Sequence, residues 1–276
     1  MALPVVHSLW IGNALSPLEQ LTIASFIHHG HAFQLWTYEE VRDVPRGAVI
    51  KDASEIIPKT RVFHYSKAGQ FGLGKNSYAG FSDLFRYRLL HLHGGCWVDM
   101  DITCLQSLDI AAPYLFRHHH KLPAVGNVLH APANDKLMAW CYNQLENRLD
   151  ANNTDWLLPV RILNEGIKKY ELTRYIQDIS NRDSFPVLLQ RLNRDPHTPG
   201  SWKVIHWMNE EFSRAGIAKY KFIRGSTIQK LLDQYGIRHV TVSGMDELYY
   251  RLKTSLPYYA AINLRYLRSW LRTSST

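Results

Sequence analysis

The stretch Phe81-Ser82-Asp83-Leu84-Phe85-Arg86-Tyr87-Arg88-Leu89-Leu90-His91-Leu92-His93-Gly94-Gly95-Cys96-Trp97-Val98-Asp99-Met100-Asp101-Ile102 packs a helix, a stop and a strand into one run. From Ser82 to His93 the apolar residues Leu84, Phe85, Leu89 and Leu92 recur at helical spacing. Gly94-Gly95 ends that helix, because glycine accepts the backbone angles a helix C-terminus demands. Cys96 to Val98 then reads as a short buried strand, with Asp99-Met100-Asp101 at its carboxyl end. Ligands of open α/β sheets bind beyond the carboxyl ends of strands. The two carboxylates therefore fall where chemistry is expected.

Working outward, Val5 to Ile11 reads as a buried strand closed by Gly12-Asn13. Ser16, Pro17 and Glu19 form a helix start: a cap, a first-turn proline and the acid of a capping box. That helix should run to about Gly30, followed by a second strand from His31 to Thr37. Strand, helix and strand at this spacing predict a parallel βαβ unit. Lys67 to Tyr78 reads as a loop, Asn134 to Leu149 as a helix and Val204 to Trp207 as a late strand. Beyond Gly216 a helix from about Ser226 to Tyr235 and a strand from Arg238 to Val242 are expected. The fold class is α/β, with a main domain over 1–215 and a small addition over 216–276.

The 276 residues are 46% hydrophobic and 20% charged, which suits a globular protein and argues against disorder. Cys96, Cys104 and Cys141 lack metal-site spacing, and a reducing compartment is the simplest reading. No signal peptide or membrane-spanning run is read, so a cytoplasmic location is expected. The net charge of +8 favours anionic partners. No nucleic-acid-binding motif stands out, and nucleic acid is not expected among them.

Alternate residues at a strand end can both reach a bound cation. Two carboxylates suit Mg2+ or Mn2+, hard ions that prefer oxygen and bridge to a diphosphate. Asp-x-Asp alone is a weak signal that also fits a pair of solvated loop acids. Asp83 and Arg86, three residues apart, share one helix face and can hold sugar hydroxyls. Taken singly, each reads as well as a helix cap or a surface ion pair.

Together, S-D-x-x-R-Y, G-G and D-x-D at this spacing resemble the donor-sugar motif of the DXD-containing glycosyltransferases. These include fungal initiating mannosyltransferases, bacterial capsular polysaccharide glycosyltransferases and the glucosylating domain of large clostridial toxins. His7 to Gly12 resembles the family's opening strand, and Ile205 to Asn209 its closing motif. The resemblance covers roughly residues 4 to 212. It implies a GT-A, Rossmann-like domain binding a nucleotide-sugar, with retention of anomeric configuration. Residue by residue, it implies that Leu9, Trp10 and Ile11 line the nucleoside pocket and that Asp83 and Arg86 bind the donor sugar. Trp97 would lie beside the sugar or ribose. Asp99 would contact the ribose or a metal-bound water, and Asp101 would ligate the metal. Asn127 would stand near the reacting sugar, and His206 would be a third metal ligand or a diphosphate contact. The expected donor is a UDP-sugar carrying a hexose or N-acetylhexosamine. The expected acceptor is a glycan or lipid-linked glycan of a bacterial surface polysaccharide.

Two other readings stay open on the residues. Val98 to Thr103 fits the D-x-D-x-T motif of haloacid dehalogenase-like phosphatases, with Asp99 as nucleophile. A non-catalytic sugar-nucleotide-binding protein is the other. His118-His119-His120 reads as exposed loop histidines rather than a metal site. From Leu248 onward there are five basic residues and no acidic ones. If Tyr258 to Arg272 is helical, Arg265, Arg268 and Arg272 share a face opposite Tyr259, Tyr266, Leu267, Trp270 and Leu271. Such a helix suits peripheral contact with the inner face of an anionic membrane, or docking on the protein's own core.

Overall fold

The structure, a computed structural model, describes residues 3–69 and 72–273, apart from the side chains of 265–273. β1 (Val6–Trp10), α1 (Pro17–His28) and β2 (Phe33–Thr37) form the expected βαβ unit, with Val6 opposite Phe33 and Trp10 opposite Thr37 in parallel register. After β3 (Val49–Asp52) come α2 (Ala79–His93) and β4 (Gly95–Val98). β5 (Ile102–Cys104), β6 (Leu115–His118) and β7 (Ala124–Ala131) follow, then α3 (Lys136–Glu146), α4 (Leu158–Lys169) and β8 (Ile176–Gln177). The chain continues through α5 (Phe185–Asn193), β9 (Val204–His206), α6 (Asn209–Ala215), β10 (Lys221–Ile223) and α7 (Thr227–Gln234). β11 (Val240–Val242), α8 (Gly244–Lys253) and α9 (Leu256–Thr273) complete it.

The main sheet runs β3-β2-β1-β4-β7-β6-β8, so β4 is its central strand. β4 is parallel to β1 on one side and antiparallel to β7 on the other. The carboxyl ends of β1 and β4 and the amino half of β7 therefore meet at one edge. Side chains alternate across β4 as the pleat requires. Cys96 and Val98 join the core beside α1, while Trp97 joins the core beside α2, α3 and α4. This is the Rossmann-like α/β arrangement expected from the sequence.

Local chemistry explains the departures from the expected boundaries. α2 begins at Ala79, ahead of Ser82, and the Ser77 hydroxyl accepts the Ala79 N–H at 3.2 Å. Its buried face is Phe81, Leu84, Phe85, Leu89 and Leu90, and Leu92 is exposed. At α1, Glu19 accepts the Ser16 N–H at 2.8 Å, but Ser16 Oγ has no partner among the described residues. Glu19 is instead buried against Lys219, 3.0 Å away, which ties α1 to the C-terminal segment. That segment adds the β10–β11 pair and α7 to a core shared with α1, α5 and β9. Leu18, Phe185, Ile205, Trp207, Phe222 and Ile228 lie in it together.

At the start of α9 the Tyr259 ring stacks on Phe185 at 3.6 Å, so here the tail docks on its own domain. The further basic and apolar tail residues, Arg265, Tyr266, Leu267, Arg268, Trp270, Leu271 and Arg272, lie outside the described side chains. No helix among the described residues is long and apolar enough to cross a membrane. All three cysteines are free and buried.

The turn from α2 into β4 rests on Gly94 and Gly95, with φ of 65° and 90°. A Cβ on Gly94 would come within 2.5 Å of the Ala133 amide nitrogen, and one on Gly95 within 2.8 Å of His7 Nε2. Backbone angles and space both demand glycine. Gly94→Ala should therefore cost at least about 2 kcal/mol of unfolding free energy in urea titrations. Gly200→Ala, where a Cβ meets nothing within 4 Å, should change it by less than about 0.5 kcal/mol.

Candidate active site

The helix α2 enters over the carboxyl end of β4 and presents Asp83 and Arg86 to the sheet edge. Arg86 is almost fully buried, and its charge is met on two sides. Nη1 lies 2.8 Å from Asp83 Oδ1, and Nη2 donates to Asp99 Oδ1 at 2.6 Å. The guanidinium also sits 5.3 Å from the Trp97 ring, whose indole N–H donates to the same Asp99 oxygen at 2.7 Å. Asp99 is therefore held at the strand end by a guanidinium and an indole. Its Oδ2 accepts no hydrogen bond among the described residues.

Asp101 is anchored from the other wall. Its backbone carbonyl accepts the Trp207 N–H at 2.9 Å, and its Oδ2 accepts the Asn209 N–H at 2.6 Å. β5 and β9 pair so that Ile102 stands opposite His206. This brings His206 Nε2 to 3.3 Å from Asp101 Oδ2. Asp101 Oδ1 accepts no hydrogen bond among the described residues. Asn127 on β7 stands beside β4, and its carbonyl accepts the Asp99 N–H at 2.9 Å.

One cleft of about 720 Å³ gathers these groups. Leu9, Trp10, Ile11, Asp83, Arg86, Trp97, Asp99, Asp101, Asn127 and His206 all line it, so every site residue named from the sequence meets in one place. The Trp10 indole N–H is used by the Ala14 carbonyl at 3.1 Å, which fixes the ring. Gly74, in the loop before α2, donates its N–H to Glu210 Oε1 at 3.0 Å and joins two walls of the cleft.

Sequence reasoning missed the group behind His206. Asp183 Oδ1 lies 2.7 Å from His206 Nδ1, and both Asp183 oxygens accept from Arg117 at 2.7 Å. Arg117 is buried on β6 and also reaches Ser180 Oγ and the Asn181 carbonyl. Asn181 brackets the His206 backbone, accepting its N–H at 2.8 Å and donating to its carbonyl at 3.0 Å. The expectation of exposed histidines holds at 118 and 120 and fails at His119. His119 turns into the cleft, 3.5 Å from Asp183. A signal was present: Arg117 interrupts the apolar run Leu115-Phe116, and a cation buried in a strand requires an acid nearby.

The charges alternate along this chain of groups, and the protonation states follow. Burial alone would lower the His206 pKa, but Asp183 and Asp101 overcome it and raise it to about 10. Burial likewise opposes ionised Asp101, yet His206, the Asn209 N–H and Lys219 hold its carboxyl below the usual range. Asp83 goes the other way: burial lifts it to about 6 against the pull of Arg86. Burial lowers His119 to about 4 although Asp183 favours its charge.

A family model described as capsular polysaccharide synthesis protein matches residues 62–222, more than half of the chain. The chain belongs to that family. The matched range contains Asp83, Arg86, Trp97, Asp99, Asp101, Asn127, Asp183 and His206, while Leu9 to Ile11 precede it. An uncharacterized glycosyltransferase of Acanthamoeba polyphaga mimivirus is 22% identical over 191 residues, covering 65% of this chain and 70% of that protein. Two solved structures are more distant. The PaToxG glycosyltransferase is 14% identical with a TM-score of 0.38, covering 62% of this chain and 76% of its own. A transferase mutant is 13% identical with a TM-score of 0.42, covering 62% and 86%. At such scores the assignment rests on the family match. The glycosyltransferase expectation accords with the family and with the viral relative, and the phosphatase reading finds no support in either.

The raised pKa of His206 has a consequence for stability. Below pH 6.5 folded and unfolded chains both hold its proton, and the ion pairs with Asp101 and Asp183 contribute fully. Between 6.5 and about 10 the unfolded chain sheds the proton first, so stability falls as pH rises. Thermal melts of chelator-treated protein should show Tm dropping across this window, and His206→Gln should flatten the slope.

Proposed function

We propose that this chain is a metal-dependent, retaining glycosyltransferase that moves a hexose or N-acetylhexosamine from a UDP-sugar to a glycan or lipid-linked glycan acceptor. The process served is bacterial surface polysaccharide synthesis. One observation carries the reading: Asp99 and Asp101 leave the central strand into one cleft, each with one carboxylate oxygen free of protein partners, beside Asp83, Arg86 and Trp10.

The residues fit a divalent cation on the chemistry of the donor set. Mg2+ and Mn2+ are commonly held by one or two carboxylates plus substrate phosphates rather than by an all-protein cage. Among the described residues no three acidic, histidine or cysteine side chains converge as such a cage. Asp101 and Asp99 would supply carboxylate oxygens. His206 would supply Nε2 once the cation displaces the proton that Nε2 holds against Asp101, with Asp183 accepting from Nδ1 in the manner of a carboxylate that orients a ligating histidine. The ion, when bound, neutralises the charge that gathers on the diphosphate as the sugar departs.

The remaining roles belong to the chain itself. Trp10, its N–H already used, offers a fixed ring for the base, with Leu9 and Ile11 flanking. Asp83 and Arg86 hold donor-sugar hydroxyls, and because each fixes the other, little ordering is left for the moment of binding. Trp97 lies beside the sugar or ribose, and Asn127 near the reacting sugar. The six acidic residues lining the cleft are Asp83, Asp99, Asp101, Asp183, Glu210 and Glu211, and each is engaged by a cation or by a backbone N–H. Among the described residues no carboxylate of the cleft is without a partner on at least one oxygen, so none stands out as the nucleophile. Front-face transfer, with the leaving diphosphate taking the acceptor's proton, accounts for retention without one. Contact of the basic tail with an anionic membrane belongs to the same reading, since it would bring the cleft to a lipid-linked acceptor.

Donor hydrolysis across UDP- and GDP-sugars, with Mn2+ and with chelator, tests this. One UDP-sugar should be hydrolysed only with metal. Asp101→Asn should lower kcat roughly a thousandfold, and Asp83→Asn should act mainly on the donor KM. Absence of metal-dependent hydrolysis or binding with every donor would sink the proposal. An inverted product anomer by NMR would overturn retention alone.

A further inference from the structure

α8 exposes an apolar stripe that no described residue covers. Met245, Leu248, Tyr249 and Leu252 stand at positions i, i+3, i+4 and i+7, one face of the helix, and Leu256 follows at the start of α9. These five side chains are between 54% and 78% exposed. The one residue α8 buries is Tyr250, on the opposite side. The helix thus turns its apolar face outward. Scattered exposed apolar residues need no explanation, but a contiguous stripe of five marks a contact surface.

The charge around the stripe selects what it meets. Residues 216–276 hold ten Lys and Arg against three Asp and Glu, a net +7, whereas residues 1–215 hold 22 against 21, a net +1. Almost the whole charge of the chain therefore lies in the segment that carries the stripe. Arg251 and Lys253 flank it on its two sides, with Lys253 Nζ 4.8 Å from the Tyr249 ring. Glu247 pairs with Arg251 and Asp246 with Lys221, so the segment's excess positive charge lies in its other cations. A second copy of this chain would bring together two segments that each carry a net +7, which electrostatics opposes. An anionic bilayer takes both properties at once, apolar side chains into the acyl boundary and cations against the headgroups.

We propose that the outward face of α8, continued by Leu256, is a docking surface for an anionic lipid membrane. It extends the membrane contact read for the tail to a different set of residues, and it does not depend on the donor chemistry. The surface is joined to the active site through side chains. Arg214 of α6 bonds to Asn263 of α9, and the Tyr259 hydroxyl bonds to Glu211 and Arg214. α6 in turn supplies the Asn209 N–H to Asp101. A docked α8 would thereby hold the cleft at a set position relative to the bilayer.

Co-sedimentation with vesicles of phosphatidylcholine, alone and mixed with phosphatidylglycerol, provides the test. The wild type should pellet with the mixed vesicles, not with phosphatidylcholine alone, and binding should weaken at high salt. Met245→Ser, Leu248→Ser and Leu252→Ser combined should cut that binding roughly tenfold or more, with the thermal melt and soluble donor hydrolysis unchanged. Removal of 265–276 should cut it less. Wild-type indifference to both vesicles overturns the proposal, as does a triple variant that binds like wild type. Binding lost only on removal of 265–276 overturns it too and leaves the tail as the contact. A dimer in ultracentrifugation that the triple variant dissociates, without lipid binding, assigns the face to a second copy. Failure of donor hydrolysis in the wild type strikes the transferase reading and leaves the vesicle result standing.

Discussion

A guanidinium taken out of water needs its charge answered in place, and Arg86 is answered twice. Stranding one buried charge by removing its partner typically costs about 3–5 kcal/mol. The pairing with Asp99 therefore ties α2 to the end of β4, while Asp83, one helical turn before Arg86, fixes the guanidinium within the helix. They also settle how the cleft is furnished. Asp99 spends one oxygen on Arg86 and Trp97 and keeps the other. Asp83 and Arg86 immobilise each other at the wall of the cleft. The same buried cation so links fold, geometry and charge at one point.

Around Asp101 the logic repeats with a second buried cation. Arg117 holds Asp183, Asp183 holds His206, and His206 reaches Asp101. Positive and negative groups alternate from β6 across to β5, and each member would be costly to bury without its neighbours. The two networks approach the strand end from opposite sides, one through Asp99 and one through Asp101. Both carboxylates are thus fixed before any ligand arrives, the condition under which electrostatic stabilisation needs little reorganisation.

Much of this was legible in the sequence. The βαβ opening, the turn at Gly94-Gly95 and the acids after Val98 are local signals, and local signals survive into the structure. Nine of the ten site residues came from three islands and Asn127 from the stretch between them, and the sheet supplied their register to each other. What stayed hidden depended on long-range pairing. Nothing near Asp183 in the chain announces that β8 and β9 will carry it to His206. His119 looked like one of three loop histidines because its inward turn is set by the end of β6. The Leu92 misreading has a similar cause, since helical spacing fixes a face but not how wide the packed stripe will be. The outward-facing stripe of α8 is ordinary amphipathic sequence until the structure shows which side the domain occupies.

The burial of all three cysteines gives the molecule an experimental property unrelated to its chemistry. Cys96 and Cys104 have their thiols pushed up to about 12 by burial, and Cys141 is raised further by the same cause. At neutral pH such thiols offer neither thiolate nor access to a reagent. The folded protein therefore behaves as though it contained no cysteine. A single one introduced on its surface becomes a unique handle for a fluorophore or spin label, with the native core left as it stands.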